Sequence, residues 1–329
     1  MFIDFSGDLM RSILFFQYIF MVVFVLTLYY VLGGNVFPDY FAYTNIAYND
    51  FGREGGYFTE FFSRYILYDG LIDEINRVDQ LVVFIQFFFV TSTLLAIFKN
   101  SKDIYIVIVF VAFFSPLLLT TVLRASPLYV MFFLMSIYYF KHKVTFLNVV
   151  FLCVFGSLFH DSFLIITIAL LGVWFTQFFN IKLGRTTLVY MLLLSFMFVF
   201  LAPAVLPVII SLLDFSVLGA RSVYMSDSGF SGLKLIVLII LNTLSFYFVR
   251  FESGTYNQKV TLTILVFLTN VIFAFGSTAG IRFSVFPFAY LFVVRGCFLF
   301  NFEAISLSNQ VISGAFLFLV FIIRFYSLI

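Results

Sequence analysis

Apolar residues in this chain come in long runs separated by short polar breaks. The runs lie near 14–32, 81–98, 104–122, 126–140, 144–159, 161–179, 187–213, 233–249, 260–279, 281–300 and 309–329. A helix needs about 20 mainly apolar residues to cross the hydrocarbon of a bilayer. The pattern therefore predicts an all-α polytopic membrane protein with about eleven transmembrane helices, forming one integral membrane domain over 1–329. The runs 126–140 and 144–159 are short, which predicts little tilt or one broken or re-entrant helix. Pro116, Pro203 and Pro207 fall inside runs, where proline is expected to kink a helix. Gly276 and Gly280, flanking Ser277, Thr278 and Ala279, mark a loose helix end just before Arg282. There is no internal repeat and no low-complexity linker.

Composition strengthens the membrane reading. Of 329 residues, 63% are hydrophobic and 10% charged, with a mean hydropathy of +1.13. Soluble domains carry roughly 25% charged residues. A net charge of +2 gives no reason to expect a nucleic-acid partner. The 53 phenylalanines, against one tryptophan, supply bulk hydrophobicity for lipid and helix packing. Cys153 and Cys297 lie in apolar runs and read as small hydrophobes, with no spacing that suggests a metal or redox site. The opening MFIDFSGDLMR has no small-residue cleavage site after it, so the first run reads as an uncleaved span.

Polar residues concentrate in one stretch, 33–80, which holds eight of the sixteen acidic residues together with Arg53, Arg64, Arg77 and six tyrosines. Lysines set the expected orientation, because positive residues favour short cytoplasmic loops. With the N-terminus inside, connections at 99–103, 140–143, 180–185, 250–259 and 301–310 are cytoplasmic and hold six of the seven lysines. The opposite, outer side then receives the loop 33–80, Arg124, His160, a second loop at 214–232, and Arg282. Arginine grips phosphate oxygens in pairs through its planar fork, whereas lysine is a point charge. Arginines on the side that topology should deplete of positive charge point to an anionic ligand there.

Arg124, Arg221 and Arg282 are accordingly the candidate diphosphate-binding residues. Arg124 and Arg282 abut apolar runs, where ionisable groups are costly; the competing reading is that each snorkels or pairs with a carboxylate. His160, in SLFHDSFLI, can orient a hydroxyl or act as a base near neutral pH, or be a satisfied polar core residue. Asp39 and Glu54 are carboxylates that can accept the proton of an attacking hydroxyl, or simply face solvent. Tyr43, Tyr57 and Tyr224 offer flat faces for sugar rings, and tyrosine is equally common at membrane interfaces. No P-loop, serine-hydrolase elbow or zinc pattern occurs.

Five stretches in this order carry a family resemblance: PDYFAYTNIAYNDFGREGGYFTEFF, LRASPLYVMFFLMSIYYF, SLFHDSFLI, ARSVYMSD and GIRFSVFPFAYLF. Together they resemble the EpsG-like and Wzy-type polymerases of bacterial surface polysaccharides. The resemblance implies a multi-pass glycosyltransferase of the bacterial inner membrane, similar in fold to the GT-C type. It implies action at the periplasmic face on undecaprenyl diphosphate-linked oligosaccharides, without nucleotide sugar, metal or other cofactor. The implied partners are that substrate, membrane lipid and a chain-length regulator. By match, the acidic and tyrosine positions fall on Asp39, Tyr43, Glu54 and Tyr57, the arginines on Arg124, Arg221 and Arg282, and the histidine on His160. An O-antigen ligase or another lipid-linked glycosyltransferase would use the same residues. A flippase or transporter would need polar residues lining a path through the bilayer, and ionisable residues are nearly absent from mid-span positions. A membrane acyltransferase built around His160 would leave the arginines unexplained.

Overall fold

The polar breaks in the apolar pattern become helix ends. A computed structural model of the chain describes residues 126–139, 143–157, 163–212, 232–251 and 254–295. Regular structure among them is entirely helical: α1 (Ser126–Tyr138), α2 (Phe146–Ser157), α3 (Phe163–Phe178), α4 (Arg185–Leu212), α5 (Gly232–Phe251), α6 (Tyr256–Phe275), α7 (Ser277–Phe283) and α8 (Val285–Arg295). By its contacts the chain divides into two compact units. Residues 131–157 and 161–294 make up one; of the other, only 126–130 and Arg295 are described.

Three stretches are long and apolar enough to cross a membrane: Arg185–Ala202 in α4, Lys234–Phe251 in α5 and Tyr256–Phe275 in α6. Helix is the form such segments must take, since only intrasegment hydrogen bonds satisfy the backbone in hydrocarbon. The exposed surface follows the same logic. On α4, Tyr190, Leu193, Leu194, Met197, Phe200 and Leu201 are exposed, while Leu188, Leu192, Ser195, Val199 and Ala202 are buried. Those two sets are opposite faces of one helix. An apolar stripe that size would be a liability in water but is the natural face toward lipid. The protein is therefore an all-helical membrane protein over the described residues.

Helix α6 has the reverse polarity. Its buried positions include Gln258, Lys259, Thr261, Thr263, Thr269 and Asn270, and it packs on α3, α4, α5 and α7. Asn270 sits where three helices meet. Its Nδ2 donates to Asn242 Oδ1 on α5 at 2.8 Å and to Ser195 Oγ on α4 at 2.8 Å, while Asn242 Nδ2 donates back to Asn270 Oδ1 at 2.9 Å. Interhelical hydrogen bonds of this kind act as glue where lipid offers no hydrophobic drive to association.

One end of the bundle is tied by backbone caps. Asn180, at φ 51°, closes α3 in a left-handed turn: Ile181 N–H donates to Thr176 O and Asn180 N–H to Gln177 O, the paired bonds of a Schellman cap. Tyr256 then pins that turn to α6, its hydroxyl accepting from Leu183 N–H at 2.7 Å and donating to Ile181 O. Thr255 and Gln258 form a reciprocal capping box at the start of α6. Two cations reach the carbonyl end of α5, Lys259 Nζ to Val249 O at 3.2 Å and Arg185 Nη1 to Arg250 O at 3.4 Å; positive charge is favoured at a helix C-terminus. Val144 N–H donates to Gln177 Oε1 at 3.0 Å, which brings the start of the α2 segment to this same end.

Several sequence boundaries shift. The connection expected over 250–259 is much shorter, since α5 runs to Phe251 and α6 starts at Tyr256; Lys259 lies inside α6 and is buried. The capping box and the α5 carbonyl explain how a lysine is accommodated there. The run expected to end at 279 stops at Gly276. Helices α1 and α2, with 13 and 12 residues, are short as expected, but the break inside a span comes later, at α7 and α8. Ser284 between these two remains in the α-region, its N–H bonded to Gly280 O and its carbonyl to Phe288 N–H. Pro287, which has no N–H to give, accounts for the interruption. Pro203 and Pro207 lie within α4, which continues to Leu212. The loop 33–80, the first three apolar runs, the last run 309–329, and the loop 214–232 apart from Gly232 lie outside the described residues.

Candidate functional site

At the end of α6 the chain turns back on itself. Gly276 closes α6 by donating to Ile272 O and opens α7 by accepting from Gly280 N–H. Helix α7 then lies directly on the last turn of α6. A β-carbon on Gly280 would come within 2.4 Å of Phe273 Cα, so the approach exists only because this residue has none. The small residues that the sequence marks as a loose helix end are the means of this close contact.

Lys234, in the first turn of α5, reaches the start of α7. Its Nζ donates to Thr278 Oγ1 at 2.8 Å and to Ser277 Oγ at 3.4 Å. Arg282 follows Thr278 by four residues on α7, which places both on one face, one turn apart. Arg282 is half-buried, with its Nε shut off from solvent. The start of α7 thus carries an ammonium bonded to two hydroxyls, with Arg282 one turn further along the same helix. An ammonium offers three donors and a guanidinium five, and their field is strong because the surroundings are low in dielectric.

The distribution of charge isolates this end. Lys143, Lys182, Arg185, Arg250 and Lys259 all belong to the opposite end of the bundle, about 24 Å from Lys234 along α5. No Asp or Glu occurs among the described residues; all 16 acidic residues lie elsewhere in the chain. Lysine and arginine donors beside two hydroxyls suit an anion rich in oxygen acceptors, of which phosphate is the common case. No group of three or more His, Cys, Asp or Glu that could hold a metal occurs among the described residues.

Of the residues nominated from sequence, Arg282 is the one the described structure contains. Asp39, Tyr43, Glu54, Tyr57, Arg124, His160, Arg221 and Tyr224 lie outside the described residues. Sequence reasoning missed Lys234, Ser277 and Thr278 as site residues. The signal was present in part: Lys234 is the one lysine outside the connections assigned to the lysine-bearing side, and it stands at the start of a long apolar run. No protein-family model, curated protein or solved structure matches this chain.

Proposed function

We propose that this chain is a membrane glycosyltransferase of the polysaccharide-polymerase type. In this reading it has about eleven spans in a GT-C-like bundle and sits in the bacterial inner membrane with its site on the periplasmic side. It transfers a growing glycan from undecaprenyl diphosphate to the next lipid-linked repeat unit. The observation that supports the reading is that Lys234 meets Ser277 and Thr278 at the start of α7, the helix that carries Arg282, at the bundle end away from Lys143, Lys182, Arg185, Arg250 and Lys259.

The reaction would be a single displacement. A hydroxyl of the incoming repeat unit attacks the anomeric carbon of the growing chain, the bond to the diphosphate oxygen breaks, and configuration inverts. His160 or Glu54 takes the hydroxyl proton, with Asp39 the other carboxylate candidate. Arg282 and Lys234, together with Arg124 and Arg221, hold the negative charge that develops on the leaving diphosphate. Stabilising charge where it appears in the transition state is commonly the largest single catalytic effect. Tyr43, Tyr57 and Tyr224 would face the sugars, and lipid tails would lie against Phe-rich helix faces.

The test is purified protein in lipid nanodiscs with its lipid-linked repeat unit. A ladder of products is expected; one product band would mean one-step transfer, as by a ligase, and no product with lipid-linked glycan crossing the bilayer would mean a flippase. Arg282→Ala should lower elongation by about 10²-fold or more, the scale seen on removing one preorganised stabilising donor, while single repeat units on lipid persist. Unchanged chain length in that variant would remove Arg282 from the mechanism.

A further inference from the structure

Polar residues recur along the interface of α5 and α6, among buried leucines and valines. On α5, Lys234, Asn242, Ser245 and Val249 recur on one face; on α6, Lys259, Thr263 and Asn270 do the same, at spacings of four and seven residues. Three contacts show that these faces meet. Lys234 reaches the start of α7 just beyond α6, Asn242 and Asn270 exchange hydrogen bonds, and Lys259 donates to Val249 O. Ser245 and Thr263 lie between the second and third of these contacts.

These two hydroxyls, like Thr167 Oγ1 on α3, differ from most others among the described residues. Ser136, Ser195, Thr176, Thr261, Thr269 and Ser284 each donate to a carbonyl three or four residues back. Ser245 Oγ and Thr263 Oγ1 make no hydrogen bond to protein, although both residues are completely buried. A buried hydroxyl without a partner costs on the order of 1–3 kcal/mol. Internal water commonly satisfies such groups where a site is polar on several sides. Here the polar sides are the Lys259 ammonium and Val249 carbonyl on one hand and the Asn242–Asn270 pair on the other.

We infer that the α5–α6 seam between Lys259 and the Asn242–Asn270 pair is a hydrated site. Its ligand is water, bound to Ser245 Oγ and Thr263 Oγ1. The asparagine pair closes the seam toward Lys234, because its amides are already engaged with each other and with Ser195. The inferred water lies on the Lys259 side of the asparagine pair. The inference does not depend on the glycosyltransferase reading.

The experiment uses full-length protein in nanodiscs with Cys153 and Cys297, the two native cysteines, replaced by alanine. Ser245→Cys and Thr263→Cys are exposed to Ag⁺, and remaining thiols are counted with a maleimide after unfolding. Leu241→Cys and Leu262→Cys, at sites equally buried but apolar, serve as controls. Both test positions should react roughly tenfold or more faster than the controls, since thiolate forms only where water reaches it. Reaction at the control rate at both positions would overturn the inference. If either cysteine variant fails to fold, Ser245→Ala and Thr263→Val decide: lowered thermal stability supports bound water, and raised or unchanged stability means the hydroxyls are dry.

Discussion

The contact between α7 and α6 gives the sharpest test of how the site is built. In Gly280→Ala the new β-carbon would sit 2.4 Å from Phe273 Cα and Cβ and 2.7 Å from Phe273 N. Ordinary contact begins at 3.4 Å, so α7 must move by about 1 Å, and the obstacle is backbone that cannot rotate away. A movement of that size along the Lys234 Nζ–Thr278 Oγ1 line would stretch 2.8 Å beyond hydrogen-bonding range. Two energies oppose each other. Alanine in place of glycine within a helix gains up to about 1 kcal/mol. Overpacking of a tight core costs about 1–3 kcal/mol, with backbone clashes toward the upper figure. The net expectation is destabilisation of roughly 1–2 kcal/mol. Thermal unfolding in detergent, followed by intrinsic fluorescence or solubility after heating, measures it directly. Elongation activity should also fall, because Thr278 and Arg282 shift away from Lys234. A Gly280→Ala protein as stable as wild type would refute the claim that α7 is held against α6 by the absence of a side chain.

Three further outcomes follow from the rest of the bundle. Asn270→Leu removes bonds to both Asn242 and Ser195 and should cost roughly 1–3 kcal/mol in reversible unfolding, while the Asn242→Leu/Asn270→Leu double variant should cost less than the sum of the singles. Tyr256→Phe removes the hydroxyl that both accepts from Leu183 N–H and donates to Ile181 O; about 1 kcal/mol should be lost, with faster limited proteolysis between Asn180 and Arg185. Asn180→Val places a β-branched residue at φ 51° and should destabilise by about 1–2 kcal/mol, whereas Asn180→Gly should be close to neutral.

How much of this was legible beforehand differs by feature. The helix that becomes α4 was expected over 187–213 and spans 185–212, because a sustained apolar run bounded by polar residues is a local signal. The end of α5 and the start of α6 were misplaced because charged residues were read as loop. Arg250 and Lys259 lie inside helices, the carbonyl end of α5 is met by Lys259 and Arg185, and Thr255 with Gln258 carries the start signal of α6. Of the candidate site, Arg282 was legible as a cation against an apolar run. Lys234 was not, since its role appears only once residues 43 and 44 positions away are brought to it.

The chain's own pattern of apolar runs determined that this is a helical membrane protein, because burial in hydrocarbon and backbone hydrogen bonding both act within single segments. Tertiary structure alone decided which polar residues inside those segments meet. Asn270 gains its meaning from Asn242 and from Ser195, 28 and 75 residues away. Lys259 gains its own from the carbonyl end of a preceding helix, and Gly280 from the backbone it touches. Facing across an interface depends on helix rotation and register, which the packing of several helices sets together and no single stretch of sequence contains.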